Sequence, residues 1–84
     1  PMPHRRHGTI CNNVSFALTG FVRPNRLGRV MVNDTFVKIR SNPDVLRGAD
    51  VQFISFDRLP PGPVPADTLD PPPELVFEVR SPSN

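Results

Sequence analysis

With 84 residues the chain is one domain at most, and a core this small is marginal unless it packs tightly or is completed by a partner, a second copy included. Hydrophobic residues at 37% and charged residues at 21% suit an ordinary globular chain, whereas 12 prolines are far above average usage. No apolar run approaches the roughly 20 residues of a membrane-spanning helix, the start lacks a signal-peptide core, and a lone Cys11 excludes an internal disulfide, so a reducing cytoplasm is the default setting.

The net charge is only +2, but nine of the ten basic residues are arginine, and Arg5, Arg6, Arg23, Arg26 and Arg29 precede the first acidic residue, Asp34. Such a half can meet a phosphate backbone through bidentate guanidinium contacts, and charge alone fits a solvated surface equally well. The chain begins at Pro1, which points to a processed chain or a fragment.

From about His7 to Val22, the residues Ile10, Val14, Ala17, Leu18, Phe21 and Val22 recur at steps of three and four. That period predicts an amphipathic helix, which Pro24 ends by disfavouring helical geometry at Arg23. Four short β-branched or aromatic segments follow: 28–32, 35–39, 49–56 and 74–79. Asn33-Asp34 reads as a tight turn between the first two, and Ser41-Asn42-Pro43-Asp44 as a turn before the third. The order predicts an α/β unit, one helix followed by a mixed, largely antiparallel sheet of about four strands. Between the third and fourth segments, residues 59–73 hold seven prolines in fifteen positions, so they form an extended surface loop. Such a loop is usually a connector, although a ligand for an SH3-type module is a second reading.

Candidate chemistry is concentrated in a few side chains. His4 and His7 are three apart, a spacing able to offer two imidazoles to a metal, but the basic stretch around them favours exposed histidines at a helix start. Cys11 reads as a small helix residue with no triad around it. In the fourth segment, strand alternation turns Leu75, Phe77 and Val79 one way and Val76, Glu78 and Arg80 the other. A carboxylate held in so apolar a strand is costly unless paired or metal-bound. Asp50 opens the third segment in the same kind of context, and two such carboxylates on neighbouring strands make the oxygen-rich site that Mg²⁺ favours. A Glu78–Arg80 ion pair, or Glu78 on a solvent-facing side, accounts for half of this pattern as well.

The pair RGADVQFISFDRLP (47–60) and ELVFEVRSPSN (74–84), with a Pro-rich spacer between them, resembles the Uma two family of restriction-endonuclease-like proteins, within the PD-(D/E)XK nuclease superfamily. His7-Gly8 with its helix, and LGRVMVNDTFVKI (27–39), resemble the family's earlier elements, so the likeness spans nearly the whole chain as one partial domain over 1–84. The resemblance implies a bacterial, Mg²⁺- or Mn²⁺-dependent endonuclease acting on DNA. Asp50 and Glu78 match the motif carboxylates as catalytic metal ligands, the Val79 carbonyl is a further ligand, and His7 is a supporting residue. Arg80 stands where the superfamily's lysine is expected, and Ala49 replaces a usual proline. The family's next helix, with its lysine, and its last strand are expected beyond Asn84, and an upstream acidic segment before Pro1. Two other readings follow: an inactive remnant with weak nucleic-acid binding, and a small module displaying the Pro-rich loop.

Overall fold

The computed structural model describes residues 4–66 and 69–80, and of Asp34 the backbone alone. Four elements follow one another: α1 (Arg5–Val22), β1 (Gly28–Arg40), β2 (Val45–Ser55) and β3 (Leu75–Phe77). The strands form one sheet in the order β1-β2-β3, and both pairings are antiparallel. This is the α/β arrangement the sequence pattern implies, with the helix packed on the sheet, chiefly against β1.

The helix runs as its period demands and stops at Val22, one residue before the position that Pro24 restricts. The Arg23 N–H still reaches Thr19 O, Leu27 N–H reaches Val22 O, and the Asn25 amide donates to Phe21 O, so the last-turn carbonyls find donors. Its inward stripe differs from the predicted one. Val14, Leu18 and Val22 turn inward, but Ile10, Ala17 and Phe21 lie exposed, and His7, Cys11, Ser15 and Thr19 take their place on the sheltered side. The predicted stripe is therefore rotated, because the sheltered side ends in polar groups that meet Asp50 rather than in a fully apolar seam.

The two segments 28–32 and 35–39 are a single strand. What reads as a turn at Asn33-Asp34 is a β-bulge: Val32 pairs with Val51 and Thr35 with Ala49, so two residues of β1 face Asp50 alone. Asn33 adopts a φ of 70°, a left-handed conformation that asparagine tolerates better than most residues. The carbonyls loosened by the bulge are taken up locally. Thr35 Oγ1 donates to Val32 O at 2.6 Å, and the buried amide of Gln52 donates to Thr35 O at 2.9 Å. The turn at 41–44 appears as predicted, with Asn42 also left-handed, and β2 begins four residues earlier than the apolar pattern alone suggests. Gly28 is required where it stands, since an added Cβ would collide with the Ile54 carbonyl across the ladder.

β3 is shorter than the segment 74–79: Glu74 precedes it, and Glu78 and Val79 follow it. Residues 59–66 and 69–73 form the expected irregular loop, and side chains hold it down. Prolines offer carbonyls and no N–H, so a donor-only guanidinium is the natural partner. Arg29 donates to the carbonyls of Leu59, Pro60 and Gly62 while its guanidinium lies 5.3 Å from the Phe56 ring centroid. Arg58 donates to Pro72 O and pairs with Glu74, and Lys38 binds Asp70 at 2.6 Å.

The core is small: Val22, Val37, Ala49, Val51 and Ile54, with Val51 at 0% exposure. Val51→Ala removes two buried carbons and leaves a void, and should cost about 2 kcal/mol, read as a lower urea midpoint at unchanged slope. A second expectation concerns acid. Burial alone would push the Glu74 carboxyl up, but hydrogen bonds from Ser55, with Arg58 nearby, outweigh it and hold the carboxyl below its ordinary value. A depressed folded pKa contributes stability above the unfolded value and loses it as pH falls through the folded one. Acid titration of the unfolding midpoint should therefore be shallower in Glu74→Gln than in the parent.

Candidate metal site

The bulge, the first turns of α1 and the segment after β3 meet at one carboxylate. Asp50 Oδ1 lies 3.2 Å from His7 Nε2, and Asp50 Oδ2 accepts the Val79 N–H at 2.7 Å. Both side chains are largely sheltered, with 16% of His7 and 13% of Asp50 exposed. A partly buried carboxylate is tolerable here because each of its oxygens has a donor.

His7 arrives from the helix. One turn further along the same face lies Cys11, half-buried. Residues four apart on a helix sit one above the other, so the thiol and the imidazole approach Asp50 together. One ligand atom from each of His7, Cys11 and Asp50 lies within 4.8 Å of the other two, the group of this kind among the described residues. A cavity of about 350 Å³ opens beside them, lined also by Ser15, Val32 and Asn33. His7 Nδ1 is buried with no hydrogen-bond partner among the described residues.

The sequence-predicted residues are distributed unevenly around this point. His7 and Asp50 are brought together, and the Val79 backbone is attached to Asp50 through its N–H. Glu78 follows β3 and is exposed, so the cost of burying a carboxylate in an apolar strand does not apply to it. The β2–β3 register pairs Val51 with Phe77, and continued by one residue it sets Glu78 across from Asp50. Arg80 is exposed, as is His4 at the helix N-cap. Cys11, which the sequence reads as a small helix residue without a triad, lies with His7 and Asp50. Its signal was the His-x-x-x-Cys spacing on a helix.

The donor set fits a divalent cation. It combines one carboxylate oxygen, one imidazole nitrogen and one thiol sulfur, and the buried Nδ1 leaves a nitrogen in need of a partner. No helix among the described residues is long and apolar enough to cross a membrane.

Compared with protein families, residues 1–84 match the model Uma2, described as "Putative restriction endonuclease". No curated protein and no solved structure matches the chain.

Asp50 is also a structural tie, which amide exchange can read. In Asp50→Ala the Val79 N–H loses its acceptor and its exchange should quicken about tenfold, whereas the Val51 amide, inside the ladder, should change little.

Proposed function

Since the chain belongs to the Uma2 family, we propose that it is a divalent-metal-dependent endonuclease domain that hydrolyses phosphodiester bonds in DNA, with Asp50 and Glu78 as its metal-holding carboxylates. The observation that carries this reading is the Asp50 carboxylate itself. It is sheltered, oriented from two sides, and set opposite a β-bulge at the edge of a cavity. Bulges commonly re-aim a side chain beside an active site.

In this reading Asp50 and Glu78 hold Mg²⁺ or Mn²⁺, and the Val79 carbonyl supplies a further oxygen, since hard cations take oxygen ligands. Bound there, a divalent cation would supply Lewis-acid stabilisation of charge on the scissile phosphate and a lowered pKa for water. The remaining work belongs to the chain. His7 fixes the orientation of Asp50 and so positions the carboxylate without touching the phosphate. In this reading Glu78, exposed one residue past the end of β3, supplies the second carboxylate from the open side, where a substrate enters. Arg80, exposed beyond Glu78, holds a phosphate oxygen pair in its planar fork; always charged, it does not act as a general base. Exposed Arg5 and Arg6 at the helix start extend the positive surface towards a polyanion.

Plasmid cleavage tests the proposal. Nicking should require Mg²⁺ or Mn²⁺, stop with chelator, and fall about a hundredfold or more in Asp50→Ala and Glu78→Ala, the scale on which loss of charge stabilisation acts. Cleavage that persists in both variants, or in chelator, overturns it. DNA binding without metal-dependent cleavage identifies an inactive remnant instead.

A further inference from the structure

From the geometry around Asp50 we infer that His7, Cys11 and Asp50 form a site for a borderline-soft divalent cation of the zinc class, distinct in donor chemistry from an oxygen-only magnesium site. The inference does not rest on the nuclease reading, although the two share Asp50.

Three observations converge. The first is donor type. Imidazole and thiolate suit Zn²⁺ and its neighbours, whereas Mg²⁺ requires near-octahedral oxygen and gains little from sulfur. The second is distance. Ligands of a tetrahedral zinc at about 2.0–2.1 Å lie about 3.3 Å apart for nitrogen and oxygen, and about 3.6 Å when one is sulfur. His7 Nε2 and Asp50 Oδ1 are 3.2 Å apart, and the thiol lies within 4.8 Å of both residues' ligand atoms. Small rotamer adjustments close the remainder. Helical spacing makes that adjustment modest, because His7 and Cys11 share one sheltered face a single turn apart.

The third observation is orientation. The Val79 N–H holds Oδ2, which leaves Oδ1 aimed at the helix; such outer contacts are what fix a metal-binding carboxylate. Once Cys11 is deprotonated, its charge and that of Asp50 balance a dication. Three protein ligands beside a cavity of about 350 Å³ also leave room for a fourth, exchangeable ligand, such as water or an oxyanion.

Cobalt titration of the full chain tests this, because Co²⁺ occupies zinc sites and reports a thiolate ligand by a near-ultraviolet charge-transfer band. One equivalent of Co²⁺ should saturate that band, one equivalent of Zn²⁺ should bleach it, and a large excess of Mg²⁺ should not. Cys11→Ser, a near-isosteric change, should abolish the band and weaken Zn²⁺ binding about tenfold or more, and His7→Ala should weaken binding similarly. Circular dichroism verifies that both variants remain folded. Glu78→Ala should keep the band while plasmid cleavage falls, which separates the two sites. Absence of a saturable band, its survival in Cys11→Ser, or displacement by Mg²⁺ overturns the inference and leaves the nuclease reading untouched.

Discussion

The carboxylate of Asp50 meets His7 of the helix on one oxygen and accepts the Val79 N–H, from the chain that follows β3, on the other. Hydrogen bonds to a charged group contribute about 1.5–3 kcal/mol each, and a sheltered carboxylate that lost either donor would bear the full cost of desolvation. Helix placement, the path of residues 78–80 and the register of β1 against β2 therefore converge on one group. The bulge belongs to the same constraint: an unbroken ladder would give Asp50 a single facing residue, and the extra one opens the strand pair beside the site.

Around this group the fold is held as much by polar ties as by its core. Among the described residues five apolar side chains are buried, and only Val51 is sealed completely. A sheet with so little cover needs its third strand and its long loop to be fastened by other means. Glu74 supplies one fastening through Ser55 and Arg58, Lys38 a second through Asp70, and Arg29 a third along the loop carbonyls. The proline content of the loop explains this chemistry. A segment so rich in residues that cannot donate is anchored largely by side chains that only donate.

Much of this was legible in the residues, and the exceptions have physical causes. The helix, the turn at 41–44 and the irregular loop follow from period, asparagine–proline chemistry and proline density. The bulge was not distinguishable from a turn, since both interrupt alternation and both favour asparagine at positive φ. In β1 it places Val32 and Thr35, three apart, on one face of the sheet, so the alternation on either side is out of phase and resembles two strands. The inward stripe of α1 was misplaced because hydrophobicity identified Ile10 and Phe21, whereas the helix is turned by His7 meeting Asp50, a contact 43 residues away in sequence. The partnership of Asp50 with His7 and Cys11 is of the same long-range kind. Alternation could mark Asp50 as a carboxylate in an unusual place; it carried no information about which helix face would arrive there.

The clamp formed by Arg29 alters the meaning of the arginine-rich first third. Five guanidinium groups precede the first acidic residue, yet one of them is committed to three loop carbonyls and an aromatic face. Arg5, Arg6, Arg23 and Arg26 are the exposed four. For any polyanion that docks on this part of the surface, counterion release counts only charges free to replace condensed ions, with a logarithmic salt slope of about −0.9 per phosphate neutralised. The apparent valence of that surface is thus set by the fold rather than by composition. A formal charge count assigns Arg29 to the solvent, and the loop has already taken it.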